Sequence, residues 1–183
     1  MRQSRADCAA AAGDRRCGTM RVVSRYASHT VNTMTTQKHI GPELSLRRAT
    51  AEDATTIFEW QVSPGTRVYA RDPTPPSWAE HLDWFSKKLR SPDTRCWMAV
   101  RSERACGFVR LDRHGDEWEV SIVTAPQMRG QGFGKAMLAA LESVSRGERL
   151  VAEVLPGNEA SHALFRAAGF RLCADGMYRR SQR

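Results

Sequence analysis

The sequence predicts an α+β fold, mixed α/β in its connections, with a central and mostly antiparallel sheet flanked by helices. Three observations carry this prediction. Three short stretches of strand character follow one another in mid-chain with tight polar turns between them, the pattern of an antiparallel meander. Two stretches before the meander and two after it have helical spacing with capping residues at their starts. The length, 183 residues, suits one well-cored domain with an appendage and is too short for two ordinary domains.

In chain order, residues 1–43 show no sustained apolar period and are rich in Ala, Arg, Ser and Thr, so they are expected to be a disordered tail, with the folded domain over 44–183. The Arg-rich, acid-poor start also has the composition of a transit peptide. Either Met34 is the natural start and what precedes it an extension, or the tail belongs to the protein. From Leu44 the texture changes. Leu44, Leu46 and Arg48 alternate as a short strand, and Thr50 with Asp53 three residues on reads as a helix cap. Pro64 and Gly65 break that helix. After the turn-rich Arg71 to Pro76, Ser77 and Glu80 form the capping-box spacing of a second helix, whose Trp78, Leu82, Phe85 and Leu89 are expected on its core face. Ser91-Pro92-Asp93 ends it.

The meander strands are Cys96 to Val100, Ala105 to Leu111 and Glu117 to Thr124. Helical spacing returns from Gly134 to Arg146, a strand from Leu150 to Leu155, and a helix from Asn158 to Ala168 closed by Gly169; Met177 to Arg179 reads as a last strand. There are no internal repeats.

Composition narrows the function classes. With 41% hydrophobic and 26% charged residues, and no apolar run long enough for a membrane span, a soluble, cytoplasmic protein is expected. The net charge of +8 invites a nucleic-acid partner, but much of the excess lies at the chain ends, and basic and acidic residues are interspersed elsewhere, so none is expected. Five cysteines, odd in number and without CxxC pairing, argue against a disulfide framework or zinc site and for a reducing compartment.

The most informative segment runs from Pro126 to Lys135, between a strand and a helix, with glycines at Gly130, Gly132 and Gly134. Free N–H groups at a helix start, on a chain without Cβ atoms, can cradle a phosphate. A P-loop reading fails because Arg129 stands where its first glycine belongs and Ala136 where Ser or Thr should follow the lysine. A dinucleotide fingerprint fails because Lys135 stands in place of its last glycine.

Arg129-x-x-Gly132-x-Gly134, preceded by Ile122-Val123-Thr124 and Pro126 and followed by a helix, a strand and Asn158, resembles the R/Q-x-x-G-x-G/A turn of the GNAT acetyltransferase superfamily. The resemblance extends from about Leu44 to the C-terminus. It implies acetyl-CoA as acetyl donor, direct transfer within a ternary complex, and no metal. It further implies that the backbone of Ile122 and Thr124, with Val123 between them, pairs with the pantetheine amides. The N–H groups of Arg129, Gly130, Gln131, Gly132, Phe133, Gly134 and Lys135 would hold the pyrophosphate.

Asn158, Ser161, Leu164, Phe165, Gly169 and Phe170 resemble the superfamily's N-x-x-A/S-x-x-L-Y-x-x-x-G-F helix. Asn158 and Ser161 are therefore expected at the cofactor, as is Phe165. Phe165 departs from the tyrosine that protonates the leaving thiolate in many members, since a phenyl ring has no proton to give. The acid is then another residue, with Ser161, His162 and Tyr178 as candidates, or a water, or there is none. Glu119 matches a frequent superfamily position and is the candidate base, because acyl transfer needs a neutral amine. The oxyanion is expected at backbone N–H near Thr124.

The acceptor is expected between the first two helices, where Trp60, Arg67, Tyr69, His81, Trp84 and Phe85 cluster. The string Ser77-Trp78-x-Glu80-His81-Leu82-x-Trp84-Phe85 is similar to a superfamily branch acting on nucleotide-linked amino sugars, as in pseudaminic acid biosynthesis. Aromatic rings for stacking, with Arg67 for phosphate, would suit such a ligand. The expected activity is thus N-acetylation of a small primary amine by a monomer or homodimer. Acetylation of a protein N-terminus or lysine is the rival, and a CoA-binding module without catalysis is the reading from another class.

Overall fold

Alternating and helical patterns become seven strands and four α-helices across residues 43–181, the part that the computed structural model describes. The expectations about the tail and Met34 concern residues outside this part, Glu43 excepted. Strand β1 is Ser45–Arg48; helices α1 and α2 are Ala54–Val62 and Trp78–Arg90. The meander is β2 (Thr94–Arg101), β3 (Arg104–His114) and β4 (Glu117–Thr124); helix α3 (Phe133–Val144), β5 (Arg149–Glu153) and α4 (Glu159–Ala167) follow. The chain closes with β6 (Arg171–Leu172), which periodicity did not reveal, and β7 (Met177–Ser181). Two residues of strand are too few to show a period.

Both capping boxes form. Ser77 Oγ accepts from the Glu80 N–H at 3.3 Å while Glu80 accepts from the Ser77 N–H at 2.7 Å. Thr50 N–H donates to Asp53 at 2.8 Å, and Arg47 grips the same carboxylate through two contacts of 2.6 and 2.9 Å. That clamp ties β1 to the start of α1.

The strands form one sheet in the order β1-β2-β3-β4-β5-β7-β6, antiparallel at every junction except β4–β5. The expected α+β architecture is borne out. On one face Trp97, Val109, Leu111, Trp118, Val120, Leu150 and Ala152 pack with Met137, Leu138 and Leu141 of α3 and Phe165 of α4. On the other, Cys96, Met98 and Phe108 pack with Ile57 and Trp60 of α1 and Phe85 of α2. Each fully buried α3 side chain contributes roughly 1.5–3 kcal/mol relative to exposure.

Three expectations change here. Trp78 and Leu82 are 41% and 40% exposed, whereas His81 is buried and turns inward with Phe85. The ring Nε2 of His81 donates to the Ala54 carbonyl at 2.9 Å, which makes a polar group acceptable at the α1–α2 interface. Trp60, expected at the acceptor, is a core side chain 6% exposed. Phe165, expected at the cofactor, is 4% exposed and packs edge-to-face on Phe170 and against Tyr178. An aromatic residue on an inward helix face gains more from burial than from a cleft wall.

Candidate functional site

The site begins where the sheet fails to stay paired. Strands β4 and β5 align only at Glu117 with Arg149, Trp118 with Leu150 and Glu119 with Val151. Beyond that point β4 follows β3 to Thr124, while β5 follows β7 to Glu153. The Ala125 N–H donates to the Cys106 carbonyl at 2.9 Å, so by strand alternation Val123 pairs with Phe108 and the polar groups of Ile122 and Thr124 face the gap. Those groups are free to meet amides of an extended ligand.

At the end of β4 a 3-10 turn, Pro126–Met128, leads into the glycine-rich turn. Gly130 and Gly132 have φ of 73° and 82°, in the left-handed region, and Gly132 caps α3. The first helical bond is Ala136 N–H to the Gly132 carbonyl at 3.1 Å, leaving the N–H groups of Phe133, Gly134 and Lys135 without helical acceptors. Among the described residues, those of Gly130, Gln131 and Gly132 have no backbone acceptor either. This row of donors at the positive end of α3 fits a pyrophosphate. Only the main chain of Phe133 is available, since its ring is buried. Gln131 turns its amide back to the Gln127 carbonyl at 2.8 Å.

A single cleft of about 1110 Å³ joins this turn to the gap and to the space beneath α2. Ile122, Val123, Thr124, Arg129, Gly130, Gly132, Gly134 and Lys135 line it, and Asn158, Ser161 and Leu164 do so from α4 and its cap. Asn158 Oδ1 accepts from the Ser161 N–H at 3.1 Å, so this side chain caps the helix and keeps its amide NH₂ for a ligand. Ser161 borders the cleft. His162 and Tyr178 do not: Tyr178 is fully buried, and its hydroxyl lies 3.0 Å from His162 Nδ1. Of the three candidate acids, only Ser161 reaches the cleft.

Glu119 lies on the cleft wall with its side chain 16% exposed, held by Arg71 Nη2 at 3.1 Å and near His114 Nε2 at 3.3 Å. Glu117, two residues back, is taken up by Arg179 at 2.9 Å. On the acceptor side Trp84 and His81 line the cleft, but Arg67 is committed to Gln61 Oε1 at 2.9 Å and the Asp72 carbonyl at 2.5 Å, shaping its own loop.

Sequence reading missed Arg71, Glu153, Arg110 and Ser121. Arg110 donates to Asp112 at 2.6 Å and Ser121 at 3.2 Å, with its guanidinium 5.2 Å from the Trp84 ring centroid. Burial opposes ionisation of Asp112, yet Arg110, Lys88 and Thr94 outweigh it and hold the carboxyl below the ordinary range. Arg110, Asp112, Glu119 and Ser121 share one face of two paired strands, Arg110 opposite Ser121 and Asp112 opposite Glu119. Polar residues at period two on an otherwise buried face were the available signal.

A family model for the GNAT acetyltransferase domain matches residues 43–171. The chain belongs to the GNAT acetyltransferase family. The N-alpha-acetyltransferase RimI of Mycobacterium tuberculosis is 32% identical to it over 105 residues, 55% of this chain and 63% of that protein, so the chain spans under two thirds of this curated relative. Among solved structures, the aminoglycoside acetyltransferase AAC(6')-Ib in complex with coenzyme A matches with a TM-score of 0.65 at 15% identity, covering 76% of this chain and 95% of that one. The ribosomal L7/L12 alpha-N-protein acetyltransferase RimL in complex with coenzyme A matches at 0.67 and 17%, covering 78% and 96%. These likenesses show the GNAT fold, and the CoA in both agrees with the expected cofactor.

Proposed function

We propose that this protein is an acetyl-CoA-dependent N-acetyltransferase acting on a primary amine of a small molecule. One observation carries the reading: the gap beyond Glu119 and Val151 opens between a row of free N–H groups at the start of α3 and a carboxylate on the cleft wall. Acetyl-CoA supplies an acetyl thioester, with an electrophilic carbonyl carbon and a thiolate leaving group. The N–H groups from Gly130 to Lys135 hold its pyrophosphate, and Ile122 and Thr124 pair with its amides. Glu119 accepts the proton that an ammonium must lose before its nitrogen has a lone pair to attack with. Backbone N–H at the end of β4 stabilises negative charge developing on the carbonyl oxygen. As the C–S bond breaks, Ser161, on the cleft side of α4, passes its hydroxyl proton to the departing sulfur and is resupplied through water by the second proton, which the attacking nitrogen loses on becoming an amide.

The amino-sugar acceptor has lost part of its support, because Trp60 lies in the core and both Nη atoms of Arg67 are engaged. Trp84 and the cleft's breadth still suit a small ring, while His81 is buried and held by the Ala54 carbonyl. The likeness to RimI favours a second reading, acetylation of a protein N-terminus. A thermal-shift measurement with acetyl-CoA tests cofactor binding. Thiol release with polyamines, aminoglycosides, nucleotide-linked amino sugars and N-terminal peptides then separates the acceptors. Binding without release across that panel would support the non-catalytic module instead.

A further inference from the structure

The loop between α1 and α2, residues 63–77, lays Arg71 across the mouth of the cleft. Its Nε donates to Glu153 of β5 and its Nη2 to Glu119 of β4. The carboxylates belong to strands that have just parted, and this guanidinium links their side chains. The Arg71 side chain is 66% exposed, against 34% for Glu153 and 16% for Glu119, so the cation reaches in from solvent and can swing out to it. Swinging out does not dissolve the loop. Arg67 keeps its internal turn, and Arg129, from the phosphate turn, donates to Thr66 and to the Pro64 carbonyl. Departure would instead leave two carboxylates facing the cleft without the cation that bridges them.

We propose that Arg71 is a specificity-determining latch, which in the free protein occupies the position of the acceptor's ammonium group between Glu119 and Glu153 and gives way to a cationic amine. The inference rests on the acetyltransferase reading and narrows its acceptor to amines protonated in solution. A guanidinium and an alkylammonium present the same charge and like donors to a carboxylate pair, so they compete for it. Exposed ion pairs are weak and screened by salt, so a substrate can open this one. While Arg71 holds the pair, only the open fraction of molecules accepts the amine, and apparent acceptor affinity falls by that fraction.

Two measurements test the latch. In steady-state kinetics, Arg71→Ala should lower KM for 1,4-diaminobutane about 3–10-fold, the reciprocal of the fraction of wild-type molecules in which the latch is open. KM for acetyl-CoA and for a weakly basic aromatic amine should not change. A rise in KM for the diamine, or an equal change for the aromatic amine, would overturn the proposal. Hydrogen exchange of the Arg71 Nε–H, read by NMR, needs no turnover: Glu153→Gln removes its acceptor's charge and should speed it several-fold, and unchanged exchange would overturn the latch whatever the activity. Faster exchange in a protein that acetylates no amine would uphold the contact and count against the acetyltransferase reading.

Discussion

Glu119 and Val151 are the last facing pair of the parallel strands β4 and β5. Up to them the sheet is continuous; past them the N–H and C=O groups of Ile122 and Thr124 face an opening. A β-sheet normally satisfies such groups with a neighbouring strand, and here the free edge belongs to the cleft. The point of divergence also sets Glu119 at the mouth of that opening.

Gly132 caps α3 at a φ of 82°. Gly132→Glu would force a side chain into the left-handed region, at a cost of about 1–2 kcal/mol, and set a negative charge where the pyrophosphate is proposed to bind. The acetyl-CoA-induced rise in Tm should disappear while far-ultraviolet circular dichroism keeps its native shape. A retained shift would move the pyrophosphate elsewhere.

Glu119→Gln should lower kcat/KM by about 10²–10⁴-fold at neutral pH, the usual contribution of a positioned base. The deficit should shrink at high pH, where free amine is abundant. An equal deficit at every pH would assign Glu119 to binding the acceptor and not to proton transfer.

Gly107, on β3, sits where the sheet meets α3. A Cβ there would lie 2.5 Å from Met137 Sδ and 2.7 Å from the Val123 carbonyl oxygen. The methionine can shift, but the carbonyl belongs to the β3–β4 ladder and cannot. Gly107→Ala should cost about 1–3 kcal/mol, read in urea as a lower midpoint with unchanged m. Gly115→Ala gives a contrast, because no atom within 4 Å would meet its Cβ and only its φ of 60° is strained.

Acid should destabilise the fold in two steps. Burial lowers the pKa of His81, with its bond to Ala54 opposing only in part. The unfolded chain therefore takes up that proton first, and stability declines below about pH 6.5. For Asp53, burial opposes ionisation, but Arg47 and the Thr50 N–H outweigh it; Asp112 is likewise held low by Arg110, Lys88 and Thr94. Carboxyls depressed in the fold stabilise it fully above the ordinary carboxylate range, and that stability goes as pH falls below about 4. Urea midpoints at pH 7, 5 and 3.5 should show both steps, with Asp112→Asn lower at pH 7 and less steep below pH 4.

Local rules were enough for much of this protein. Caps at Thr50 and Ser77, strands of period two and glycines at a helix start act over a few residues, so the order of elements other than β6, the family and the glycine-rich turn before α3 were legible in the sequence. What neighbours decide was not. Trp78 and Leu82 fit the same helical period as Phe85, but α1 takes His81 instead, because Ala54 offers the imidazole a carbonyl. Trp60 and Phe165 look equally suited to a cleft wall or a core, and burial of their rings in the two cores decides. The pairing of Arg71 with Glu119 and Glu153 spans 48 and 82 positions in the chain. No periodicity reaches that far; only the fold, by parting two strands and laying a loop across them, brings those charges together.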